Sequence, residues 1–143
     1  MHSMLRKTTT ALIVATLGVA SASACAANHN VSVGGAGGQL VFVDAATGTN
    51  VTNIAAGDTV TFTNAGGFHN ATSNTGAVTS FRCATGCDGT GGNGAPNGSL
   101  WSATVTFPTP GTIGYHCEVH QTSGMIGTIN VTVPVDLQSF DID

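Results

Sequence analysis

From Asn30 onward the chain alternates apolar and polar residues with a period of two, in short bursts. Val31 and Val33 alternate with polar neighbours, and Leu40–Val43 is a short apolar run. Val60 and Phe62 stand among Thr59, Thr61 and Thr63. Ala103, Val105 and Phe107 alternate with Ser102, Thr104 and Thr106. Ile113, Tyr115 and Cys117 share one face, and Ile129, Val131 and Val133 alternate with Thr128, Asn130 and Thr132. Successive strand side chains point to opposite sides of a sheet, so each burst predicts a strand with one buried face. Gly, Asn and Pro separate the bursts, with turns predicted at Ala56-Gly57-Asp58 and Pro108–Gly111. No amphipathic helix or internal repeat interrupts this pattern. It predicts an all-β, Greek-key sandwich of about seven or eight strands.

The first residues have a different grammar. Arg6 and Lys7 precede the apolar segment Ala11–Ala20, which is too short to span a bilayer, and Ala22-Ser23-Ala24 offers small residues for cleavage. Residues 1–24 are therefore expected to be an export signal, with Met4 an alternative start and the cut falling as late as residue 26. Cys25 is either lipidated after cleavage at Ala24 or lost by cleavage after Ala26. Loss is favoured, because a lipoprotein box usually carries a larger aliphatic where Ala22 stands. The expected organisation is a signal over 1–24, one domain over 27–135 and a short acidic tail over 136–143. The location is periplasmic or extracellular, or membrane-anchored only through a lipidated Cys25.

Charge excludes one class of partner. Without residues 1–24 the chain keeps one cation, Arg82, against seven anions (Asp44, Asp58, Asp88, Glu118, Asp136, Asp141 and Asp143), a net charge of −6. A chain with one Arg and no Lys cannot neutralise a run of phosphates, so nucleic acid is not an expected partner.

The stretch Gly114–Gly127, GYHCEVHQTSGMIG, places Cys117, His120 and Met125 within nine residues. A thiolate, an imidazole and a thioether so close together need one more donor to make a metal site. His69, in Gly66-Gly67-Phe68-His69-Asn70, is the best candidate. Two His, one Cys and a weak axial Met describe a blue-copper electron-transfer centre, whereas structural zinc sites use Cys, His and carboxylates. Alternation turns Cys117 inward at a strand's end, and Gly124 and Gly127 are expected to bend the following loop back over that end.

The motif Tyr115-His116-Cys117-Glu118-Val119-His120, followed by Met125 and Gly127, resembles the C-terminal copper loop of cupredoxins. Its Cys-x2-His-x4-Met spacing is that of plastocyanin and pseudoazurin. Ala56–Phe62 followed by Asn64–Asn70 resembles the plastocyanin segment carrying the first His ligand, and Leu40-Val41-Phe42 resembles an earlier strand. The likeness covers about Asn30–Val133. It implies one type 1 copper per chain, with His69, Cys117 and His120 equatorial and Met125 axial, and Asn70 bracing the Cys loop. It also implies that the electron leaves through a solvent-facing apolar patch over His120, for which Phe68, Val119 and Ile126 are the apolar residues closest to the ligands in sequence. Phe68 and Val119 stand where plastocyanins carry Pro, and Cys83–Gly98 looks like an insertion.

The remaining motifs are local. Cys83 and Cys87, in an exported protein, predict a short disulfide; a second metal site is the alternative, with no spare His nearby. Gly89–Gly94 fits G-x-G-x-x-G by letter, but no strand leads directly into it and Pro96 blocks a following helix, so a surface loop is expected. His116 points away from Cys117 and is either an exposed strand residue or, as in copper nitrite reductases, a ligand to a second copper. The expected function is electron transport by a non-enzyme, with a redox partner such as a cytochrome or copper enzyme. The alternatives are a subunit of a copper enzyme and a copper-scavenging module.

Overall fold

The computed structural model describes residues 25–134. The expected signal over 1–24 and tail over 136–143 lie outside the described residues. Ten strands form: β1 (Asn28–Gly34), β2 (Phe42–Asp44), β3 (Val51–Ala55), β4 (Thr59–Gly66), β5 (Ala71–Ser73), β6 (Arg82–Ala84), β7 (Gly86–Cys87), β8 (Ser102–Thr106), β9 (Gly111–His116) and β10 (Ile126–Thr132). A single 3-10 turn, Gln121–Ser123, is the only helical element among the described residues. One sheet runs β2-β1-β4-β8 and the other β3-β10-β9-β5-β6-β7. Two parallel pairings, β1 with β4 and β3 with β10, join strands remote in sequence.

The alternating residues form the core between the sheets. Val31, Val33, Val60, Phe62, Phe107, Ile113, Tyr115 and Ile129 are all buried. Each such side chain contributes about 1.5–3 kcal/mol relative to full exposure. Tyr115 makes edge contacts with Phe42 and Phe62, with ring centroids 4.7 and 5.4 Å apart. Val133 departs from the pattern and is exposed, because β10 ends at Thr132.

Two buried carboxylates fix the turns. Asp44 accepts from the amides of Ala46 and Thr47. Asp58 accepts from the amides of Ala27 and Ala55 and lies 3.2 Å from His29 Nε2. Burial raises the Asp58 pKa, but these hydrogen bonds outweigh it and hold the group below its ordinary value.

The strand count exceeds the expected one for physical reasons. β3 carries only one buried apolar side chain, Ile54, beside buried Thr52, so its alternation is invisible in hydropathy. Gly86–Cys87, inside the expected insertion Cys83–Gly98, pairs with β6 as β7; a two-residue strand has no period to detect.

Candidate metal centre

His69 follows the long strand β4 and sits on a backbone bridge to Asn97, its N–H donating to the Asn97 carbonyl and its carbonyl accepting in return. Asn64 shapes this turn. Its buried side-chain amide donates to the carbonyls of Gly67 and Ser99, at 3.1 and 2.8 Å, and its Oδ1 accepts from Gly66 N–H. The His69 ring is fully buried against Gly34 and Gly67, where any Cβ would run into it. Both glycines also have positive φ, so ring placement and backbone conformation each demand Gly there.

Cys117 leaves β9 pointing into the core, and the loop behind it closes on itself. His120 N–H donates to the Cys117 carbonyl, Met125 N–H to the His120 carbonyl and Cys117 N–H to the Met125 carbonyl, at 3.1–3.2 Å. Gly124 takes the left-handed conformation expected of it, with φ 84°. Gly127 does not: its φ is not positive, and it is needed because a side chain there would collide with the Tyr115 ring. The expected bend at Gly127 is thus a close approach.

The result is a convergence of donors. His69 Nδ1 lies 3.1 Å from His120 Nδ1, and Cys117 Sγ lies 3.7 and 3.6 Å from those two nitrogens. Donors about 2.0–2.3 Å from one metal and separated by angles of about 100–120° are roughly 3.1–4 Å apart, so the three atoms are spaced to fit a single ion. Burial, followed by the neighbouring His120, pushes the His69 pKa below its ordinary value, which keeps the ring neutral with a lone pair to give. His69 and Cys117 are buried and His120 half-buried. Met125 is fully buried, and its backbone bonds to both Cys117 and His120.

Asn70 behaves as expected of a brace. It is fully buried; its Oδ1 accepts from Glu118 N–H at 3.0 Å, and its Nδ2 donates to Thr72 Oγ1 and the Gly94 carbonyl, both at 2.9 Å. Cys83 and Cys87 are disulfide-bonded. The following Gly-rich segment is more than a surface loop, because Gly94 is buried and Asn97 carries the bridge to His69. His116 Nδ1 instead faces Asn74 Oδ1 at 2.8 Å, and it joins no group of three metal-ligating side chains among the described residues. Sequence reasoning missed Asn64, whose only signal is a polar residue at a strand position that should be buried.

Residues 29–132 match the copper binding proteins of the plastocyanin/azurin family. This chain belongs to that family. It is 40% identical over 103 residues to the chloroplastic plastocyanin of Tetradesmus obliquus, spanning 71% of this chain and 66%, about two thirds, of that relative. With the plastocyanin of Scenedesmus fuscus it shares 42% identity over 102 residues, spanning 71% of this chain and 96% of the relative. The oxidised form of plastocyanin from Dryopteris crassirhizoma matches with a TM-score of 0.53 at 23% identity, over 72% of this chain and 99% of that one. That likeness concerns the fold. The family and the His-Cys-His donor set agree on copper as the metal.

Proposed function

We propose that the chain is a one-electron carrier whose copper would be held by His69, Cys117 and His120, with Met125 as a weak fourth donor. The observation that carries this reading is the convergence of two imidazole nitrogens and one thiol sulfur at the end of the sandwich. When bound, copper supplies a couple between Cu(I) and Cu(II). The protein's part is to hold its donors still and to keep water away. His69 is fixed by Asn64, Gly34 and Gly67, and Cys117 by the loop's own backbone and by Asn70. A site braced on every side changes little between oxidation states, which favours rapid exchange.

Of the four residues only His120 is partly exposed, and Phe68, Val119 and Ile126, which adjoin His69, His120 and Met125 in sequence, are exposed apolar residues. That end is where a redox partner protein, such as a cytochrome or copper enzyme, would dock. The chloroplastic relatives and residues 1–24 together support an exported protein, with a periplasmic or extracellular location as the specific reading. Signal cleavage would then leave the domain over 27–135. The test is a visible spectrum after adding Cu(II) to the mature protein. A strong blue thiolate-to-copper band is expected, and Cys117→Ala should lack it; a variant that stays blue refutes the ligand assignment.

A further inference from the structure

Glu118, the residue after Cys117, is held at both ends. Its N–H donates to Asn70 Oδ1, while its carboxylate receives a two-point grip from Arg82, Nε to Oε1 at 2.7 Å and Nη2 to Oε2 at 2.9 Å. Arg82 Nη1 reaches Asp88 Oδ2 at 3.0 Å, and Asp88 Oδ1 accepts from Gly94 N–H at 2.8 Å. The Gly94 carbonyl accepts from Asn70, which completes the circuit back to Glu118. Arg82 and Asp88 sit on the hairpin closed by the Cys83–Cys87 disulfide, and Asp88 N–H donates to the Arg82 carbonyl across it. Gly94 fits because it has no side chain; a Cβ there would collide with Arg82.

We infer that Arg82, set by the disulfide hairpin, is a positioning residue for the Cys117 arm of the metal centre, acting through Glu118. The inference rests on the copper reading above for its purpose. A planar guanidinium presents several N–H donors in a fixed fork, so it can hold Glu118 on two and Asp88 on a third; an ammonium cannot reproduce that geometry. An exposed ion pair alone contributes little, and these side chains are about one third exposed or more. What distinguishes this one is closure: the ring joins the Cys117 loop, the residue after His69 and the disulfide hairpin, so each bond keeps the others in register.

The experiment compares the parent with Arg82→Ala, Arg82→Lys, the pair Cys83→Ser/Cys87→Ser, and Arg82→Ala combined with that pair. Serine substitution removes the disulfide without a reductant, which would also reduce copper. In copper-free protein, alkylation of Cys117 is followed by mass spectrometry, with amide exchange at Glu118 and in β4. In copper-loaded protein, the blue band is recorded. Arg82→Ala and the serine pair should each speed Cys117 labelling by roughly three- to tenfold and shift the band, and the combined variant should be no faster than the faster of the two. Arg82→Lys should fall between parent and Arg82→Ala. Parental labelling and band position in Arg82→Ala would overturn the inference. So would multiplicative effects, parental behaviour of Arg82→Lys, or exchange in β4 rising as much as at Glu118. A parent with no blue band would sink the copper reading instead, leaving the copper-free labelling to decide the role of Arg82.

Discussion

Met125 is fully buried, and its backbone joins both His120 and Cys117. A neutral thioether is a weak donor, so in the proposed role it tunes the metal while the thiolate and imidazoles hold it. Met125→Leu keeps a similar volume and should preserve packing. That variant should bind copper, stay blue and show a higher reduction potential, since sulfur donation favours the more charged Cu(II). Met125→Gln should lower the potential, because an oxygen donor favours Cu(II) more. Cyclic voltammetry of both beside the parent decides; no movement in either, or a fall in Met125→Leu, returns Met125 to a core side chain. His69 shows what the sequence conceals at this scale. The plastocyanin-like segment Asn64–Asn70 marked His69 as a candidate ligand and holds Asn64 and Gly67, but nothing in their letters says that they seat its ring, and Gly34 lies outside the segment altogether. Gly34 is especially silent, being far from His69 along the chain yet against its ring.

At the scale of elements, the hairpin of β6 and β7 makes the clearest prediction. Its disulfide spans four positions in sequence, and so small a ring contributes about 2 kcal/mol by constraining the unfolded chain. Cys83→Ser/Cys87→Ser should lose about that much in urea unfolding, and in the parent both sulfurs should resist alkylation until a reductant is added. Free thiols in protein from an oxidising compartment would contradict the bond. Strands with two or more buried apolar alternations, such as β4, β8 and β9, were legible. β3 was not, because Thr52 fills an inward position and resembles an exposed one. The insertion was legible as a departure, but its contacts with Asn70 and His69 run through backbone groups of Gly94 and Asn97, which any sequence possesses. The one hint was Arg82, the only Lys or Arg after residue 7, placed directly before Cys83.

For the molecule as a whole, the net charge of −6 proposed to remain once residues 1–24 are removed should steer a basic partner toward the sandwich, with association slowing as salt rises. In the proposed role docking falls to the apolar end, where Ile126 is 50% exposed. Ile126→Lys should slow electron exchange with the native partner in stopped-flow without bleaching the site; an unchanged rate would move the docking face elsewhere. The separation of the donors carries a different consequence. His69 stands 48 residues before Cys117, and the loop holding Cys117 and His120 joins β9 to β10, which pairs with β9 on one side and β3 on the other. Chains dominated by such remote pairings fold slowly, because distant ends must meet before any contact rewards them. His69 therefore cannot meet the other donors until the sandwich is nearly complete. Copper should then act as a lock fitted to a finished door: with metal loaded, the unfolding rate should drop while the folding rate stays as in the metal-free chain. Chevron plots with and without copper would show the difference on the unfolding limb alone.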